Sequence, residues 1–151
     1  MMIFYKLLVV IHVLSAIIGL GPGFVFIPVL KSAQTMKELK HAYRITRKMH
    51  QFIMAGGFLL LATGLSMGTI NPGLFKLGWY DVSLILFFAA LAMGPIILTP
   101  RSKRIKKLIE TYEGDDIPET YIILSKDIFF WERILNVLFI VIIVLMITKP
   151  F

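Results

Sequence analysis

Cysteine is absent from this 151-residue chain, and acidic residues are scarce, 9 Asp and Glu against 16 Lys and Arg. Without cysteine there is neither a disulfide framework nor a thiolate metal site, so any metal or haem must be held by His, Met or oxygen. Charge as a whole is thin. Only 17% of residues are charged, below the roughly 25% of a soluble domain, which excludes an ordinary water-soluble fold. Also missing are a Ser-His-Asp arrangement, a phosphate loop, a His-Glu-x-x-His motif and a carboxylate dyad. Hydrolytic chemistry therefore has no support. No internal repeat or low-complexity tract divides the chain, which reads as one domain.

What is present is apolar: 58% of residues are hydrophobic, and the mean hydropathy is +0.83. Four apolar runs, over residues 7–30, 49–70, 79–99 and 128–148, each reach the roughly 20 helical residues that cross a hydrocarbon core. The expected fold class is all-α, a four-transmembrane-helix antiparallel bundle. The first run is too long for a cleaved signal peptide and has no clear Ala-x-Ala site after it, so it reads as retained.

The basic residues fall in the connections. Lys31, Lys37, Lys40, Arg44, Arg47 and Lys48 lie between spans one and two against the single acid Glu38, and Arg101, Lys103, Arg104, Lys106 and Lys107 follow span three. That placement is the signature of loops retained in the cytoplasm rather than of nucleic-acid binding, and it puts both chain ends outside. In the second connection Ile105, Leu108, Ile109 and Tyr112 recur at helical spacing. This predicts a short amphipathic cytoplasmic helix between spans three and four, either drawn to anionic lipid or serving as a solvated connector. Gly114-Asp115-Asp116-Ile117-Pro118 ends it, and Pro118 opens a short helix before span four.

Within lipid, helices associate by close approach and polar contacts. Ser15, Gly19 and Gly23 mark one face of span one, Gly64 and Gly68 mark span two, and Ala90 and Gly94 mark span three. Span four has no glycine, which suits a helix with a broad lipid-facing arc. Gly21-Pro22-Gly23, Pro28 and Gly94-Pro95 predict kinks, either merely tolerated or making room for a bound group.

An ionisable residue inside a span is a functional candidate by default. His12 lies roughly 9 Å outside the midplane, on the face that continues through Ser15 and Gly19. It reads equally as a metal ligand or as a side chain hydrogen-bonded to Ser15 or a neighbouring helix. His50 is separated from it by roughly 23 Å along the bilayer normal, whereas two axial haem nitrogens lie about 4 Å apart, so a His12–His50 haem is excluded. His41 sits in the basic connection and reads as solvated. Level with His12 are Ser66, Met67, Ser83 and the stretch from Val144 to Met146. A His/Met pair there suits a b-type haem or a soft ion such as Cu(I), though Met is also a routine gap-filler. Arg133 and Asn136 share a helical face about 7 Å to the cytoplasmic side of the midplane. They form either an anion pocket with Arg47, Lys48 and His50, suited to porphyrin propionates, or a snorkelling cation with a neighbour. Trp79 and Tyr80 read as an interfacial belt, and Asp81 as a solvated or helix-initiating residue.

His12 and Gly19, Phe26-Ile27-Pro28, Thr63-Gly64-Leu65, Gly78-Trp79, Arg133-Ile134-Leu135-Asn136 and the final Lys149-Pro150-Phe151 together resemble the motif order of HemJ-type protoporphyrinogen IX oxidases. More broadly, the chain resembles bacterial four-helix membrane proteins grouped with HemJ and the CopD copper-resistance proteins. The resemblance implies a bacterial cytoplasmic membrane location and haem b ligation by His12. Ser83 stands where that family carries a lysine, and Val137 where it carries an acid, so porphyrinogen oxidation is not implied with it. Three classes stay open: a cofactor-bearing protein with His12, Arg133, Asn136 and Met67 at its site, a copper-handling accessory using His12, Met67 and Met146, and a structural membrane partner. Substrate, enzymatic activity and oligomeric state are not readable from these residues.

Overall fold

The computed structural model describes residues 2–151, and its regular elements in that range are all helical. Helix α1 spans Met2–Lys31, α2 Met36–Ile70, α3 Gly78–Met93, α4 Thr99–Thr111 and α5 Glu119–Thr148. Four stretches are long and apolar enough to cross a membrane: α1, α2, the continuous run Gly78–Thr111, and α5.

Local chemistry sets the ends. Thr35 caps α2 by accepting the Glu38 N–H at 3.2 Å, while the Glu38 carboxylate takes the Gln34 N–H at 2.8 Å, a close variant of the capping box. At the far end Pro72 cannot continue α2. Asn71 folds back to accept the Gly73 N–H at 3.3 Å, and a single 3₁₀ turn, Pro72–Lys76, leads into α3. Past α5 the chain turns at Lys149, whose φ of 46° is left-handed and whose ammonium lies 5.5 Å from the centre of the Trp79 ring. The Trp79 N–H then donates to the Phe151 carbonyl at 3.2 Å. Gly78 lets the Phe151 ring lie close, since a Cβ would sit 2.6 Å from it and displace it.

Neither proline of α1 interrupts it. Pro95 is absorbed differently: Gly94–Leu98 forms a π-turn in which the Thr99 N–H and hydroxyl both reach the Gly94 carbonyl. The third span thus passes without a break into α4. The segment expected to be a separate amphipathic helix on the membrane is therefore an extension of a span. Its apolar face is not turned to lipid, since Ile105 is 0% exposed and Ile109 is buried against Leu39, Tyr121 and Phe129. Likewise most of the basic connection after span one is helical, because α2 begins at Met36. At 1.5 Å per residue its 35 residues span roughly 52 Å, so it projects well beyond a hydrocarbon core of about 30 Å. Pro118 opens α5 itself rather than a separate short helix.

Two apolar cores result. One lies within the spans and joins Leu20, Leu60, Phe87, Ala90, Phe139 and Ile142. The other is a cap at the basic end, where the end of α1, the start of α2, α4 and the start of α5 meet around Leu39 and Ile105. Arg101 ties the cap to α5 through Asp127 at 2.7 Å and lies over Trp131.

Helices α1 and α2 touch backbone to backbone. A Cβ added at Gly19 would lie 2.8 Å from the Gly56 carbonyl carbon, and one at Gly56 would collide with Gly19 in return. By contrast, nothing lies within 4 Å of a Cβ at Gly57. Gly56→Ala is expected to lower stability in detergent by about 1–3 kcal/mol through overpacking. Gly57→Ala, next to it, should leave stability unchanged or raise it by up to about 1 kcal/mol. Thermal melting followed by circular dichroism compares the two.

Candidate functional site: an intramembrane cavity walled by His12

The Gly19–Gly56 contact sets the register of the antiparallel pair. His12 lies seven residues before Gly19 and Thr63 seven after Gly56, two turns along each helix in the same direction. The two side chains meet there, with His12 Nδ1 at 2.8 Å from Thr63 Oγ1. The Thr63 hydroxyl has one proton, and its shortest bond, 2.6 Å, is to the Leu59 carbonyl one turn back. Thr63 therefore accepts from the imidazole, which assigns the proton to Nδ1 and leaves Nε2 with its lone pair. Gly64 clears space for the ring, since its Cβ position is 3.4 Å from His12 Cε1. Ser15, the other expected partner of His12, instead donates to the Ile11 carbonyl at 2.7 Å.

His12 forms part of the wall of a cavity of about 490 Å³ lined by all four spans. Leu20 and Phe24 line it from α1, Leu60 and Gly64 from α2, Ser83 and Phe87 from α3, and Ile142 and Met146 from α5. The wall is almost wholly apolar. Of its other polar side chains, Tyr80 donates to the Gly64 carbonyl at 2.9 Å and Ser83 to the Trp79 carbonyl at 2.7 Å. Hence, among the described residues, His12 is the one side chain on the wall that carries nitrogen, and its Nδ1 is taken up by Thr63. Val13, Ile17 and Phe24 at the rim are exposed, so the cavity opens sideways along α1.

The remaining candidates separate. Met146 lines the cavity, whereas Met67 is half-buried outside it. Arg133 and Asn136 do not act together: Arg133 is exposed, while Asn136 turns inward, its amide 3.5 Å from the Gly23 carbonyl. Neither lines the cavity, and Arg47, Lys48 and His50 are exposed, so the expected anion pocket is not assembled. His41 is exposed, as expected of a solvated residue. Trp79 and Tyr80, expected at the interface, are 7% and 3% exposed inside the bundle, where Tyr80 locks α3 to α2. No group of three or more metal-ligating His, Asp or Glu side chains occurs among the described residues. Sequence reasoning missed Thr63 as the partner of His12, because counting from the span centres put Ser66 and Met67 at that level, one turn further along α2; its signal was its place beside Gly64.

The family model described as predicted integral membrane protein, DUF2269, matches residues 6–150, and the chain belongs to this family. No curated protein and no solved structure matches it.

Removing the acceptor should orphan a buried N–H. Thr63→Val is expected to cost about 1–3 kcal/mol in detergent, and Thr63→Ser, which keeps the hydroxyl, clearly less. Nitrogen NMR of a histidine-labelled sample should show the Nδ1–H tautomer of His12 in the parent and a tautomer mixture in the valine variant.

Proposed function

We propose that this family member is an intramembrane binding protein, whose cavity takes a neutral, lipid-soluble ligand from the bilayer and anchors it at His12. The observation that carries this reading is a single histidine on an otherwise apolar wall, its Nδ1 held by Thr63 so that Nε2 is left to meet a ligand. A lone pair there accepts a hydrogen bond, so the matching ligand has an apolar body and one hydroxyl head, the chemistry of a quinol, a phenol or a long-chain alcohol. Pockets of a few hundred Å³ with few, well-placed polar groups suit such molecules. Sideways access along α1 spares the ligand a passage through water.

Haem b, implied by the resemblance to HemJ-type proteins, is the second reading, and Met146 on the same wall as His12 favours it as a second axial ligand. Its two propionates fit less well, because among the described residues no cationic or amide side chain lines the cavity and Arg133 is exposed. The same His/Met pair would suit Cu(I) in a copper-handling accessory related to CopD proteins. For topology, the positive-inside rule supports a cytoplasmic cap and outward termini in a bacterial cytoplasmic membrane, with anionic lipid beside the basic residues.

Purification in mild detergent, followed by mass spectrometry of extracted lipids, absorption spectroscopy and metal analysis, tests the reading. A neutral lipid-soluble compound should copurify with the parent and fall roughly tenfold in His12→Ala, the value of one hydrogen bond. A Soret band lost in His12→Ala would overturn this in favour of haem, and stoichiometric copper in favour of metal handling. If nothing copurifies and His12→Ala melts like the parent, a structural role replaces all three. A tag on either terminus should be accessible from outside intact cells.

A further inference from the structure

A second ionisable group lies inside the bundle, on the other side of the spans from His12. Glu132 stands one turn inside the apolar run of α5, and its Oε2 is buried with no hydrogen-bond partner. It occupies the inward face of α5, in line with the buried Tyr121, Ser125 and Ile128 at helical spacing. Its neighbour in sequence, Arg133, is exposed and offers it no partner.

The groups that could neutralise a charge there are otherwise engaged. From α1, Lys31 lies over the Phe129 ring, and from α4, Arg101 is paired with Asp127. The facing part of the third span, the π-turn Gly94–Leu98, has no titratable residue. What α2 and α5 bring toward Glu132 are two hydroxyls, those of Tyr43 and Tyr121, 3.4 Å apart and set between it and the basic end of the bundle. An unpaired carboxylate in an apolar interior is costly, and the neutral acid costs far less.

We propose that Glu132 is a proton-exchanging carboxyl that binds and releases a proton with the water at the basic end of the bundle, across the Tyr43–Tyr121 hydroxyl pair. In uptake, a hydronium ion gives one proton to a carboxylate oxygen, an O–H bond forms and water is left; release is the reverse. No electron moves and no other reactant is needed. The site stands on a different observation from the His12 cavity and does not depend on what that cavity holds.

Dicyclohexylcarbodiimide tests this directly, because it enters apolar regions and adds to carboxylic acids in their protonated form. The intact protein in membrane vesicles is treated at about pH 6 and about pH 9, digested, and mapped by mass spectrometry. Glu132 should carry the adduct, falling about tenfold or more between the two values, while the exposed Glu110 and Glu119 remain unlabelled. An infrared band of a protonated carboxyl, shifted by deuteration, should be present in the parent and lost in Glu132→Gln. An unlabelled Glu132 at both values overturns the proposal, as does labelling that sodium suppresses and choline does not, which would mark a cation site. Because mapped labelling is read on the parent, a Glu132→Gln variant that failed to fold would leave the test decisive.

Discussion

Lipid removes the usual reason for helices to associate, and in this protein the direct meeting of two backbones at Gly19 and Gly56 takes its place. Where no Cβ intervenes, dispersion contacts and the small-residue seam hold α1 against α2 in one register. A slip of one residue would turn other side chains into that seam. The register in turn decides which polar groups meet two turns away, so His12 reaches Thr63 as a consequence of a contact that neither residue makes.

A division of labour along the bundle axis follows. Toward the chain ends the four spans part enough to leave an apolar cavity, braced by Tyr80 on the Gly64 carbonyl. Toward the basic end the helices outrun the bilayer thickness and close on a core of the kind found in soluble proteins, with Leu39 and Ile105 fully buried. The charges of that region lie outward on α2 and α4, over an interior that needs none of them. Two intramembrane ionisable groups, His12 and Glu132, sit in these different settings, one beside an open cavity and one beneath a closed cap.

Much of this was legible from residue types alone. The four spans and the inward face through Ser15 and Gly19 follow from hydropathy and helical spacing. Other features were hidden because they depend on how far helices continue and which way they rotate. A basic, moderately polar segment such as 36–48 looks like a loop until Thr35 caps it and Leu39 finds Ile105. Rotation, more than depth, separated Met146 from Met67 and Asn136 from Arg133. Trp79 and Tyr80 have the composition of an interfacial belt, and only the return of the chain at Phe151 and the carbonyl of Gly64 accounts for their burial. Glu132 was masked by the more conspicuous arginine beside it.

The π-turn at Gly94 has an effect that reaches past its own hydrogen bonds. Such a turn holds one residue more than an α-turn, which advances everything after it by roughly 100° around the axis. It works like a gear with one extra tooth: the third span can keep Phe87 and Ala90 inward while its extension independently aims Ile105 and Ile109 at the cap. Wound instead as an uninterrupted α-helix, the same residues would turn Ile105 and Ile109 away from the cap by that angle.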